Sequence, residues 1–360
     1  MKVQFFYGYS ILIIGIAAVL ASCKAPTPRS QNSPSKVWVV GTLAGSTRGF
    51  AMGTGAAARF NTPRGVAVDT SGNVYVADAG NHRIRKVTAA GEVSTLAGST
   101  AGFANGTGAA AQFNQPTGVA VDTSGNVYVA DSLNHRIRKI TVDSNGVGGV
   151  STLAGSGTVG FAEGTGTAAW FNTPRGVAVD GSGNVYVADS LNHRIRKITA
   201  AGEVSTLAGN DTRGFRDGAS AQFNQPHGVA VDSDGNVYVA DAGNDRIRKI
   251  TANGVVSTLA GGDTEGSEDG ASARFNVPNG VAVGTSGNVY VADLGNHRIR
   301  KITTVRVVST LAGSTAGFVE GIGAAARFDQ PHGVAVDSDG NVYVADSKNH
   351  RIRKLEYKFP

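Results

Sequence analysis

The sequence predicts an all-β chain folded as a six-bladed β-propeller of four-stranded antiparallel blades, closed by an N-terminal strand that completes the last blade. Three observations lead there. One unit recurs six times, with its opening proline at positions 63, 116, 174, 226, 278 and 331, in steps of 53, 58, 52, 52 and 53 residues. Each unit holds four short apolar, β-branched runs separated by turn residues, which is the pattern of an antiparallel meander. The chain also ends one run short: nothing like VSTLAG follows the last RIRKL, while a copy, VWVVGTLAG, precedes the first unit. Radial repetition of four-stranded sheets is how a propeller disposes of sheet edges. An N-terminal strand completing the sixth blade pairs the edge that would otherwise stay open.

Taken in order, the chain begins with an export signal. Residues 1–22 carry Lys2, an apolar run from Ile11 to Leu20 and small residues at the end, the n-, h- and cleavage regions of a secretory signal. The uninterrupted run is ten residues, against about 20 for a bilayer span. The segment LASC, Leu20 to Cys23, resembles a bacterial lipobox, and Cys23 is the only cysteine in the chain. The resemblance implies cleavage before Cys23 and lipid attachment to its thiol. Lys24 stands where an aspartate would signal inner-membrane retention, so the expected address is the bacterial cell envelope, at the outer membrane or cell surface. Residues 23–36, rich in Pro, Ser and Thr, read as a tether. Losing Lys2 lowers the formal net charge of +6 by one unit. A basic protein outside the cytoplasm meets lipid headgroups, anionic polysaccharide and peptides rather than RNA.

Residues 37–360 form the repeat array. In the first unit the strands are GVAVD (Gly65 to Asp69), NVYVAD (Asn73 to Asp78), RIRKV (Arg83 to Val87) and VSTLAG (Val93 to Gly98), joined by TSG, AGNH and TAAGE. The long step comes from an insertion at Val142 to Gly149, absorbed in a turn. About 20 residues separate VSTLAG from the next GVAVD, so VSTLAG is the outer strand of its own blade and GVAVD lies nearest the axis. The segments between them, such as Ser46 to Asn61, either wall the mouth of the channel or cover blade edges. Phe60, Phe113, Phe171, Phe223, Phe275 and Phe328 recur in step and read as core plugs.

The repeat GVAVDxxGNVYVADxxNHRIRK resembles the NHL repeat family across residues 37–360. The resemblance implies a six-bladed propeller. Members of that family include RNA binders, sensor domains of bacterial kinases and an amidating lyase, so it implies fold more narrowly than activity.

Several repeated groups invite chemistry. Asp78, Asn81, His82 and Arg83 combine acid, imidazole and guanidinium, but six symmetric copies point to turn and inter-blade bonding. DSDGN at Asp232 and Asp337 lacks the 12-residue spread of an EF-hand and reads as a hairpin turn. In RIRK both arginines share a strand face. They read as solvated sheet edges, without an exposed aromatic platform beside them, so nucleic acid is not an expected partner.

What varies is the middle letter of the motif PxG: Arg64, Thr117, Arg175, His227, Asn279 and His332. One per blade at the start of the innermost strand places them as a ring at one channel mouth. A copied framework with one varied ring is the arrangement of a ligand site, and two arginines suit a carboxylate or other anion. The expected function is therefore a lipid-anchored, monomeric, non-enzymatic binding module for a peptide, glycan or protein, needing no cofactor. The alternative is a metal-dependent lyase or hydrolase. The amidating-lyase relative places zinc-binding histidines in Pro-His contexts on alternate blades, and His227 and His332 match that pattern while the third such position is Thr117. Catalytic zinc keeps three protein ligands as a rule.

Overall fold

The computed structural model describes residues 35–359 except 145, together with residues 4 and 8. Cys23, the export signal and most of the tether lie outside the described residues. The repeat array forms the unit Lys36–Pro360, opening one residue ahead of its expected start.

Six antiparallel sheets form six blades. In blade one the strands run from the axis outward as Pro63–Val68, Val74–Asp78, Arg83–Val87 and Glu92–Gly98. Alternation along them decides the packing. In blade one Val74, Val76, Ile84 and Val87 are fully buried, and both faces of Val74–Asp78 are covered because a blade is sandwiched by its neighbours. The apolar core is correspondingly split into six clusters. One of them joins Tyr75, Ala77, Ile84 and Ala97 of blade one to Phe113, Val119, Val127, Val129 and Ile140 of blade two. The recurring phenylalanines, from Phe60 to Phe328, are wholly buried plugs in these layers.

Blade six closes as expected. Val37–Gly45 pairs antiparallel with Arg351–Lys358, in register from Val37 opposite Lys358 to Gly45 opposite Arg351. Val40 and Ala44 of this strand are buried, so closure adds core contacts as well as backbone hydrogen bonds.

The long connections cover blade edges. Gly53–Thr54 adds to the outer strand Glu92–Gly98 of blade one, and four of the six sheets gain a fifth strand in this way. A short 3-10 turn, Gly55–Ala57, follows.

The arginines of RIRK correct a sequence expectation. Arg85 and its five counterparts are completely buried. The Arg85 guanidinium pairs with the equally buried Asp78 at 3.0 Å and donates to the carbonyl oxygens of Ala51 and Arg59, tying the long connection to the blade. Asp78 also accepts from the Asn61 backbone N–H and the Asn81 amide. Desolvating such a pair is tolerable only because nearly every lone pair and proton has a partner. The first arginine of RIRK reaches the surface in five blades and is buried in the fourth as Arg246, which alternation alone does not reveal.

A second correction concerns aromatics. Phe50, Phe103, Phe161, Phe215 and Phe318 are 41–46% exposed. Each has both arginines of its blade stacked on it, as Arg83 and Arg85 lie 4.1 and 4.8 Å from the Phe50 ring centre. One face of every ring is thus already occupied by cations.

Candidate functional site at the channel mouth

The innermost strands meet at the axis with almost no space between them. A Cβ on Gly280 would lie 2.5 Å from the His332 carbonyl oxygen and 2.9 Å from the Val334 nitrogen. The same contact repeats around the circle, Gly65 against Thr117, Gly118 against Arg175, Gly176 against His227, Gly228 against Asn279 and Gly333 against Arg64. Only glycine fits the third position of PxG, which is why that letter is copied while its neighbour is free to vary.

The residue before each proline is held in left-handed backbone, from Thr62 (φ 46°) through Val277 (φ 48°) to Gln330 (φ 49°). That conformation is costly without glycine. It is held by a bond from the preceding blade: the backbone N–H of Gln115 donates to His82 Nδ1 at 3.2 Å, Thr62 to His350, Thr173 to His135, Gln225 to His193 and Gln330 to His297. In blade four Asp245 replaces histidine and accepts from Val277 at 2.7 Å. The histidines of the repeat are therefore inter-blade acceptors, consistent with a structural role. Burial, then neighbouring arginines, holds His82, His135, His193 and His350 below the usual imidazole range, which preserves the Nδ1 lone pair.

On this frame the six varied residues come together around one pocket, Arg64, Thr117, Arg175, His227, Asn279 and His332. Its floor is a ring of valines, including Val66, Val177 and Val281, continuing into a channel lined by valine and alanine residues. The ring is not uniform. Thr117 donates to the Arg175 carbonyl at 2.8 Å and also bonds the Ser132 hydroxyl, so its hydroxyl is engaged in joining blades two and three. Asn279 bridges the two histidines: its amide nitrogen lies 2.8 Å from His227 Nδ1 and its oxygen 3.3 Å from His332 Nδ1.

That bridge fixes protons. An NH2 group facing His227 Nδ1 requires a lone pair there, so the proton sits on Nε2. An amide oxygen facing His332 Nδ1 requires a proton there. His227 is 7% exposed, and its Nε2 has no partner among the described residues. Burial, reinforced by Arg175, His332 and Arg64, pushes His227 well below the usual imidazole range. His332 touches the channel yet is enclosed by protein, and burial followed by the charges of Arg64 and Arg175 takes it down to about 3. Both rings are neutral.

The guanidiniums of Arg64 and Arg175 make no hydrogen bond or ion pair with any described residue. Burial lowers both, and the charge of Arg64 adds to the effect on Arg175. Among the described residues no group of three or more His, Cys, Asp and Glu comes together. His227 and His332 are joined through Asn279, and Thr117 adds no third metal donor.

Sequence reasoning located the ring but missed three things. The Asn279 bridge and the Ser132–Thr117 link need tertiary proximity that spacing does not supply. The rim beside the ring was legible: the middle residue of the turn after the second strand is Gly80, Gly243 and Gly295 in blades one, four and five. It is Leu133 and Leu191 in blades two and three and Lys348 in blade six.

The NHL repeat profile matches residues 60–87, 113–146, 171–198, 223–250, 275–302 and 328–355, one match per blade. The chain belongs to the NHL-repeat β-propeller family. It is similar to SUPPRESSOR OF QUENCHING 1, a chloroplastic protein of Arabidopsis thaliana, at 32% identity over 82% of this chain and 30% of that protein. It is also similar to NHL repeat-containing protein 2 of Bos taurus, at 29% identity over 82% of this chain and 46% of that one. The chain thus spans less than half the length of these curated relatives. Among solved structures, an auxiliary nutrient binding protein from Bacteroides thetaiotaomicron superposes with a TM-score of 0.69, at 17% identity, over 90% of this chain and 77% of that one. At that identity the likeness is one of fold.

Proposed function

We propose that this NHL-repeat propeller is a binding module, monomeric and lipid-anchored through Cys23 at the outer membrane or cell surface, that takes a peptide, glycan or protein ligand at the channel mouth. One observation carries the binding reading. The pocket gathers two guanidiniums that have no protein partner among the described residues and no acid in the pocket lining. Such a pair of open, unpaired forks is a ready seat for a ligand group of opposite charge. An auxiliary nutrient binding protein shares the fold, which fits a ligand-gripping role.

The metal-dependent alternative meets an electrostatic obstacle. Arg64 and Arg175 act on both histidines with no carboxylate in the pocket wall, so a divalent cation would enter a positive field. Ligation through His227 Nε2 would also need the other tautomer, which Asn279 in its present orientation opposes.

Two measurements test the proposal. Equilibrium binding of peptide and glycan panels to the purified protein and to its Arg64→Met/Arg175→Met variant should find ligands whose affinity the substitutions reduce. A full panel bound equally by both proteins would refute a mouth site. Elemental analysis of protein purified without a His-tag or chelators, beside His227→Ala/His332→Ala, should find no stoichiometric metal; one equivalent lost in the variant would establish the metalloenzyme reading instead. Anchoring predicts that Cys23→Ser moves the protein from the membrane to the soluble fraction, and unchanged fractionation would sink it.

A further inference from the structure

The pocket's unpartnered groups specify a ligand class more narrowly than the binding proposal on which this inference rests. The charged groups at the mouth are all positive, and the one accepting group among its unpartnered atoms is His332 Nε2, whose proton sits on Nδ1. Arg64 and Arg175 come from blades one and three and line the same pocket, where the charge of Arg64 adds to burial in lowering Arg175. Two like charges held together in a half-buried pocket, with no acid in its lining, repel unless an anion sits between them. Between them in the ring lies Thr117, whose hydroxyl faces away into the joint with Ser132 and the Arg175 carbonyl. His227 Nε2–H, its tautomer set by Asn279, is buried behind the arginine pair and adds no donor at the pocket surface. Lys348 on the rim adds a further positive charge on the His332 side.

The rim itself is lopsided. At the position that blades one, four and five fill with glycine, blades two and three present Leu133 and Leu191, 43% and 41% exposed. Each projects from the turn packed beside its own ring residue. Leu133 follows Ser132, which bonds Thr117 and the Pro174 carbonyl, and Leu191 stands in the turn Ser190–Asn192 of the blade that carries Arg175. Neither leucine lines the pocket itself, whose floor is valine, but both stand in the turns that end the second strands of the blades carrying Thr117 and Arg175. Exposed leucines at two adjacent blades, where three other blades have no side chain, are an apolar shelf beside a cationic pocket.

We infer that the mouth recognises a carboxylate with an adjacent apolar side chain: the carboxylate is held by Arg64 and Arg175, and the apolar group lies on Leu133 and Leu191. Guanidinium forks match a planar carboxylate. A small acylated amino acid and the C-terminal residue of a peptide share this chemistry.

Titration calorimetry on the purified full chain, using defined probes, decides the matter. N-acetyl-leucine and the tripeptide Gly-Gly-Leu represent the two sources, and the tighter of the two names the source. N-acetyl-leucine amide lacks the charge, N-acetylglycine lacks the side chain, and inorganic phosphate offers a different anion. The expected order places at least one leucine acid first, with the amide weaker by roughly 100-fold and N-acetylglycine by roughly tenfold, the scales of a charge-assisted contact and of a buried side chain. Arg64→Met/Arg175→Met should abolish binding of the leucine acid. Leu133→Gly/Leu191→Gly, which copies the glycine of the other blades and so leaves the fold intact, should erase the difference between N-acetylleucine and N-acetylglycine while both still bind. Equal binding of acid and amide, tighter binding of phosphate, or no binding of either leucine acid at millimolar concentration overturns the carboxylate class. If a neutral glycan or a metal then binds in a manner sensitive to the ring variants, the binding reading stands without it. If no probe of any class responds to those variants, both fall.

Discussion

Gly280→Ala tests the packing on which the mouth depends. The added methyl would stand 2.5 Å from the His332 carbonyl oxygen, 2.9 Å from the Val334 nitrogen and 3.0 Å from the Gly333 Cα, the first about 1 Å inside an ordinary van der Waals separation. All three atoms are backbone, so no side-chain rotation relieves the overlap. Blades five and six would have to part at the axis, and in a closed ring that movement is passed to the other contacts between innermost strands. Overpacking a close-fitted core costs about 1–3 kcal/mol, and the backbone location puts this site at the upper end. Spread over the unit Lys36–Pro360, about 3 kcal/mol lowers a cooperative melting midpoint by about 4 °C. Gly181→Ala is the control, because a Cβ there meets nothing within 4 Å and its φ is not in the left-handed region. It should change stability by less than about 0.5 kcal/mol. Parallel urea and thermal unfolding of the two variants reads the difference. If Gly280→Ala unfolds with Gly181→Ala and the wild type, the innermost strands are not in contact at the axis and the ring geometry is wrong.

Three further expectations concern the frame around the site. Arg196→Met leaves Asp189 buried without its 3.0 Å partner and should cost about 3–5 kcal/mol, whereas Arg194→Met on the exposed side should cost under about 1 kcal/mol; equal urea midpoints for the two would show that the buried pair carries no special burden. Acid should weaken the fold early. Imidazoles held below their ordinary range stay unprotonated in the folded state while the unfolded chain takes up protons near 6.5, so their contribution is fully present above that pH and is lost as pH falls below it. The urea midpoint should drop between pH 7.5 and 5.5, less so in His193→Asp, which installs the acceptor that Asp245 already supplies to Val277 at 2.7 Å. A pH profile identical in the variant would remove His193 from the account. Val277, β-branched at φ 48°, should be improved by Asn, which tolerates left-handed backbone. A gain of about 0.5–1 kcal/mol is expected, and a loss would mean that the valine side chain packs more usefully than its exposure suggests.

How much of this was readable in the letters differs between frame and site. Blade number, strand order and the closing strand Val37–Gly45 follow from repeat counting, because each repeat makes the same local structure and only closure satisfies its edge. The identity of the ring followed from the same counting, since variation against a copied background marks positions that the frame does not constrain. What failed did so where a side chain's surroundings come from elsewhere in the chain. Arg85 alternates as a surface residue should, yet it is buried because the connection from Ala51 to Arg59 folds over it. The Phe50 ring was not recognised as exposed because its spacing fits no strand of its own. Asn279 entered as one varied ring residue among six, whereas its amide bridges both histidines from 52 and 53 residues away.

These two kinds of position divide the labour of the molecule. Glycine at the third position of PxG, the left-handed residue before the proline and the histidine or aspartate that holds it are all backbone devices. They set where the ring residue begins and ask nothing of its side chain. Six identical devices therefore deliver six side chains to one pocket without choosing any of them, and charge can accumulate there that a packed core would reject. The two arginines illustrate it. In RIRK, Arg85 is buried beside a dedicated Asp78, while Arg64 and Arg175 are partly buried with none. A frame able to provide a counter-ion six times over leaves these two cations unpaired among the described residues, and under the proposed binding role that contrast separates charge used for folding from charge kept for a ligand.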